Sequence, residues 1–205
     1  MNREEMLENL RNSVSSRLSE KRYLHTLGVE KMAVILSELC LPEKKFELSA
    51  AALLHDITKE ESPQFHQEIL SSESAKYGKA ALYDIPILHS FTAPYIIKRD
   101  FPLFATEEIL SAVEKHTVAD ADMSIFDEII FLADFIEDGR KYQDSVMTRK
   151  YVFDNMKHGN IFENTSVLHR ACVMEIDSTL RHLESIGKQA SKRSILAKAS
   201  LLSKF

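Results

Sequence analysis

The sequence predicts an all-α fold, and two observations predict it. Gly and Pro number only 5 each in 205 residues, about half the usual frequency, which starves the chain of the turn residues that a many-stranded sandwich or barrel needs. Apolar residues also recur at helical spacing through nearly every segment. The length suits one globular domain over residues 1–205 built on a single core, and no repeat, low-complexity tract or flexible linker divides it. With 44% hydrophobic and 28% charged residues, wholesale disorder is excluded.

From Glu4 to Leu18, Met6, Leu7, Leu10, Val14 and Leu18 share one face of an amphipathic helix. A second helix is predicted from Lys21 to Leu39, with Leu24, Leu27, Met32, Ile35, Leu36 and Leu39 as its buried stripe and Pro42 as its stop. Phe46 to Ile57 is apolar almost all the way round, which marks a central helix, and its last turn carries His55 and Asp56. Ser62-Pro63 opens a more polar helix toward Tyr77, and Gly78 and Pro86 bracket a loose connection. Ile87 to Lys98 is the next helix, and Thr106 caps another that ends near His116. Ser124 to Glu137 contains the run Ile129 to Ala133 just before Asp134. Helices are predicted over Val146 to Met156, Thr165 to Ile186 and Ser191 to Leu202, so that residues 144–205 complete the bundle.

The charge balance of 26 basic to 31 acidic residues, net −5, leaves no basic face for a nucleic-acid duplex. A few cations converging in one cleft would still reverse the field locally and bind a small anion. The opening Met1-Asn2-Arg3-Glu4-Glu5 has no signal-peptide core, and no later stretch approaches the roughly 18 apolar residues of a membrane span, so a cytoplasmic protein without membrane contact is expected. Cys40 and Cys172 are too few for a disulfide framework and read as reduced core thiols.

The chemistry concentrates where carboxylates and imidazoles interrupt apolar runs. Asp56 ends the run Ala50 to Leu54, and a carboxylate placed there needs a cation or donors to offset its desolvation. One metal at the edge of the helix is within reach of both His55 and Asp56, because successive positions lie about 100° apart. Asp134 repeats the anomaly, and a metal serves it and the His55-Asp56 pair together; the blander alternative is a buried ion pair with Arg140 or Lys59. His25, His89 and His116 each flank apolar helical positions, whereas His66, His158, His169 and His182 sit in more polar or less diagnostic surroundings. Any one of the first three alone is more often a hydrogen-bonded core residue than a ligand.

Together, His25, His55-Asp56 and Asp134 match the H…HD…D pattern of the HD superfamily of metal-dependent phosphohydrolases. The segments Arg22 to Val29, Ala51 to Lys59, Ile87-Leu88-His89 and Leu132 to Arg140 resemble more narrowly the YqeK-type proteins, the symmetrical diadenosine tetraphosphate hydrolases of bacteria. The resemblance spans Arg22 to Arg140, the motif core 22–140. It implies one divalent metal, expected to be iron with manganese or another divalent ion as alternatives, ligated by His25, His55, Asp56 and Asp134. His89 and His116 then contact substrate phosphates, or else hold a second metal with a bridging Asp56. The implied reaction is attack of metal-activated water on a phosphorus of a nucleotide substrate, giving two ADP. Asp56, Lys59 and Arg140 form the catalytic set, and Arg22, Lys59, His89, His116 and Arg140 the substrate-binding set. For the three basic residues the alternative is an exposed helix-end charge.

Two other readings stay open: a nucleotidase or guanosine polyphosphate hydrolase with the same metal, and a non-catalytic module that binds a nucleotide or a partner. The oligomeric state is also open, with a homodimer among the possibilities. Ser90-Phe91 follows His89 where the family carries a small Gly-Pro, which places Phe91 beside the cleft and bears on its width. Val118-Ala119 stands where Thr-Gly is usual, and Gly187 to Arg193 departs from the family's Ile-His-Pro segment.

Overall fold

Helix starts follow the supply of side-chain acceptors for the free N–H groups of the first turn. A computed structural model describes residues 2–71 and 85–204, and among them are ten α-helices and no strand. Asn2 and Glu5 form a capping box on α1 (Arg3–Ser15), and Ser19 caps α2 (Glu20–Cys40). A 3-10 turn at Pro42–Lys44 leads into α3 (Lys45–Leu54). Ser62 caps α4 (Pro63–Ser71) through the Phe65 N–H. After α5 (Leu88–Asp100) come α6 (Glu107–Lys115), capped by Thr106, and α7 (Ile125–Ile136), where Ser124 and Asp127 make a second capping box. Helix α8 (Gln143–Asn155) has no side-chain cap, α9 (Ile161–Ser185) is capped by Asn160, and α10 (Lys192–Leu202) by Ser191.

One apolar cluster runs from Leu7 in α1 to Leu201 in α10. Helix α3 is its centre. Leu48 and Ala50 to Leu54 are fully buried, and the small Ala50-Ala51-Ala52 lets α1, α2, α6 and α7 close around it. Helix α7 packs in turn on α2, α6 and α9. The consequence is that the ends of α3 and α7 face one side of α2, which is where the His and Asp residues gather. No helix among the described residues is long and apolar enough to cross a membrane, and Cys40 and Cys172 are free and buried.

Several expectations need correction. Helix α1 stops at Ser15, and α3 ends at Leu54, leaving His55 as its C-cap and Asp56 in a tight turn closed by the Lys59 N–H on the Asp56 carbonyl, 2.9 Å. Helix α9 starts at Ile161, because Asn160 supplies a cap four residues earlier than the apolar pattern suggested. Leu24 is 62% exposed; it leaves the stripe because the first turns of α2 border an open cleft instead of the core. His66 and His169 are buried, against their polar sequence surroundings, because each finds a partner: Thr92 Oγ1 at 2.9 Å for His66 and Glu128 Oε2 at 2.6 Å for His169. Phe91 packs with Leu70 and Leu88, with the Arg193 guanidinium over its ring. The stretch expected to run on to Tyr77 and Gly78 lies outside the described residues beyond Ser71.

Candidate metal centre

Three imidazoles are aimed at one point by what their Nδ1 atoms hold. His55 follows α3 and His116 follows α6, so each meets a carbonyl that its helix leaves unpaired, Ala52 O at 2.6 Å and Val113 O at 2.7 Å. His25 lies inside α2, where the carbonyls are taken, and its Nδ1 meets Glu137 Oε1 at 3.2 Å instead. The tautomer with its proton on Nδ1 satisfies that acceptor and leaves Nε2 to act as a ligand. The three Nε2 atoms then face the carboxylates of Asp56 and Asp134.

His25 Nε2 is 3.0 Å from Asp134 Oδ1 and 3.9 Å from Asp56 Oδ2, and His55 Nε2 is 3.4 Å from Asp56 Oδ2. None of these approaches has the alignment of a hydrogen bond, so His25 Nε2, His55 Nε2 and Asp56 Oδ1 are buried donor or acceptor atoms without a hydrogen-bond partner. Native interiors rarely tolerate that. Two sets of ligand atoms lie within 4.8 Å of one another, His25 with His55 and Asp134, and His55 with Asp56 and His116. Neutral imidazole with carboxylate is the donor mixture that a borderline divalent cation takes. The donor set and its orphaned atoms fit a metal ion.

Cations surround the carboxylates. Arg22 Nη1 is 2.9 Å from Asp56 Oδ2, and Arg140 pairs with Asp134 through both Oδ1 and the backbone carbonyl. Arg140 thus makes the ion pair that the sequence offered as the alternative to a metal, and it does so on a carboxylate whose side chain is 21% exposed. Burial works to raise both carboxyls, yet the imidazoles of His55 and His116 hold Asp56 well below the usual range, and His25, Arg140 and His55 do the same for Asp134. Both stay ionised. Burial opposes protonation of His55, but the Asp56 and Asp134 charges outweigh it and raise its pKa.

His89 and His116 occupy the other side of Asp56, with Nε2 atoms 3.1 and 3.5 Å from Oδ1 and 3.0 Å from each other. Burial pushes His89 down to about 3 and lowers His116, so both are neutral near pH 7. Lys59 Nζ sits 3.1 Å from His89 Nε2, its ammonium pKa lowered by burial against the pull of Asp56 and Asp134. The structure therefore brings all nine sequence-predicted site residues together. A cleft of about 960 Å³ opens from this cluster past Arg22, Leu24, His25, Arg140 and Tyr142.

Sequence reasoning missed Glu137, Thr117 and Arg149. Glu137 is buried behind His25, Thr117 Oγ1 is 3.1 Å from His89 Nε2 and 3.0 Å from His116 Nε2, and Arg149 donates to the carbonyls of Ile136, Glu137 and Arg140. The signal for Glu137 is its place in the Leu132 to Arg140 segment; Thr117 has only its adjacency to His116, and Arg149 has none.

A family model for the HD domain matches residues 22–137. A symmetrical bis(5'-nucleosyl)-tetraphosphatase of Bacillus subtilis strain 168 is 32% identical over 171 residues, 82% of this chain and 87% of that protein. A protein of the same description from Halalkalibacterium halodurans is 32% identical over 130 residues, 63% of this chain and 67% of the relative. Among solved structures, one from Clostridium acetobutylicum, described as a predicted HD superfamily hydrolase involved in NAD metabolism, superposes with a TM-score of 0.82 at 26% identity over 97% of both chains.

Proposed function

The chain belongs to the HD domain family, and we propose that it is a metal-dependent hydrolase that splits diadenosine tetraphosphate and related dinucleoside polyphosphates into two nucleoside diphosphates. One observation carries the reading: a buried His/Asp cluster with orphaned ligand atoms stands at a cleft that Arg22 and Arg140 enter beside Asp56 and Asp134. The similarity to two symmetrical tetraphosphatases over much of the chain supports the substrate class.

His25, His55, Asp56 and Asp134 would hold one divalent cation, with iron the first expectation and manganese the next. When bound, such a cation lowers the pKa of a water and polarises a phosphoryl oxygen. The chain's own groups do the rest. Arg22, Lys59 and Arg140 receive the phosphates and stabilise charge on non-bridging and departing oxygens. Neutral His89 and His116 face the phosphate oxygens next to Asp56, and the Thr117 hydroxyl, 3.1 and 3.0 Å from their Nε2 atoms, is a donor beside them. Because Asp56 and Asp134 stay ionised, they keep the anionic charge a cation requires even as the substrate brings its own. Both kinds of phosphoanhydride in the bridge react comparably, so placement of the central phosphorus beside the nucleophile decides which bond breaks.

The test is the product. Incubation of the metal-loaded protein with diadenosine tetraphosphate in ¹⁸O-water should give ADP alone, with label in half of the ADP molecules. AMP and ATP as initial products would overturn the symmetrical cleavage, and activity on mononucleotides with none on the dinucleotide would make the protein a nucleotidase. Two metal ions per chain in the purified protein would move His89 and His116 from phosphate contact to ligation.

A further inference from the structure

Two of the three inward histidines take their orientation from a carbonyl three residues back, on their own helix end. His25 has no such acceptor. Its Nδ1 depends on Glu137, 112 positions away in the sequence, at the C-cap of α7. The Glu137 carboxylate is itself fixed, because its second oxygen accepts from the Gly139 N–H. Arg149 pins the backbone around it through the carbonyls of Ile136, Glu137 and Arg140.

Space for this carboxylate is reserved by two glycines. A Cβ at Gly28, one turn beyond His25 on α2, would come within 2.6 Å of Glu137 Oε2, and a Cβ at Gly139 within 2.8 Å of the same atom. Neither glycine has the positive φ that favours glycine; among the described residues only Gly159 and Gly187 do. Their lack of a side chain is explained by the carboxylate they face.

We propose that Glu137 is a positioning residue that holds His25 in the tautomer with Nδ1 protonated and Nε2 bare, and that Gly28 and Gly139 are glycines because any side chain there would displace that carboxylate. A carboxylate behind a ligating imidazole fixes its tautomer and orientation and raises its basicity, and losing such a partner commonly costs about 10–100-fold in metal affinity. The inference rests on the reading of His25 as a metal ligand.

Glu137→Gln keeps the shape but not the acceptor pair. With the amide oxygen on the Gly139 N–H, its NH₂ faces His25 Nδ1 and favours the opposite tautomer. Nitrogen-15 NMR of histidine-labelled, metal-free protein should therefore show His25 as the Nδ1–H form in the parent and a shift toward Nε2–H in Glu137→Gln. Titration with Mn²⁺ should show affinity about 10–100-fold weaker while thermal unfolding of the metal-free protein stays close to the parent. Gly28→Ala should weaken Mn²⁺ binding when Glu137 is present and add nothing in a Glu137→Ala background. A native tautomer with native Mn²⁺ affinity in Glu137→Gln overturns the proposal, as does an equal penalty for Gly28→Ala in both backgrounds. His25→Ala separates the two readings: native Mn²⁺ affinity in that variant overturns the ligand assignment, while the tautomer of the metal-free protein still decides the role of Glu137.

Discussion

A divalent cation requires negative charge as well as donor geometry, and at this site the charge is concentrated in two carboxylates. Asp134→Asn keeps the shape and removes one of them. The variant should purify with metal content at least about tenfold lower by elemental analysis, whereas His116→Ala should keep it; the reverse result would exchange the roles of the two residues. Lys59→Ala tests the charge around the phosphates. Its ammonium touches His89 and the Pro86 carbonyl and neither Asp56 nor Asp134, so metal content should hold while kcat falls about 10²–10³-fold. The His55-Asp56 pair and Asp134 were legible in the sequence because charge inside an apolar run is an anomaly anyone can see. Glu137 was not legible as a site residue, since a carboxylate at the end of a helix reads as a solvated charge. Only the packed structure shows that Gly28 on another helix makes room for it.

Elements were legible wherever caps and periodicity agreed, as for α7, with Ser124 ahead of an apolar run. They were misread where a partner in another helix overrides local polarity. His169 and Glu128, on α9 and α7, bury each other and take Lys204 as a third member, and a single sequence window cannot show that pairing. Helix α9 also carries Glu175, buried against the back of the site with Oε2 unpartnered. Burial, then repulsion from Asp134, raises its pKa well above the ordinary 4.5, with Arg140 opposing. In the folded chain Glu175 therefore keeps a proton that the unfolded chain releases above pH 4.5, and its contribution to stability is lost as pH rises from about 4.5 toward the folded value. Glu175→Gln removes that loss. Urea unfolding from pH 4 to 8 should show the parent losing stability relative to the variant by up to about 1.4 kcal/mol per pH unit within that window, and parallel pH profiles would show that Glu175 ionises freely.

At the scale of the molecule, the all-α class followed from composition and period, whereas the convergence of α2, α3 and α7 on one point was legible only through the H…HD…D resemblance, because spacing along a chain holds no distance across it. That convergence makes a bound ion a cross-link between helices. Saturating Mn²⁺ at a hundredfold excess over its dissociation constant should stabilise the fold by about 2.7 kcal/mol, a rise in Tm of roughly 5–10 °C for a chain of this size, reversed by EDTA. A Tm indifferent to both would mean that the ion does not bridge the helices.

The 112-position gap between His25 and Glu137 also sets an order of events during translation. At roughly 5–20 residues per second, about 6–22 s separate the synthesis of the two ends of that contact. A nascent chain in that interval offers His25, His55 and Asp56 as a loose trio, and a loose trio obeys the general affinity order of divalent ions, in which copper and zinc outrank iron and manganese. Only when α7 docks do Asp134 and the backing of His25 impose a fixed geometry. On the proposed ligand set, an ion taken up before α7 docks has to be exchanged or kept once the geometry is fixed, and protein made in zinc-rich medium should carry more zinc by elemental analysis than protein refolded with iron.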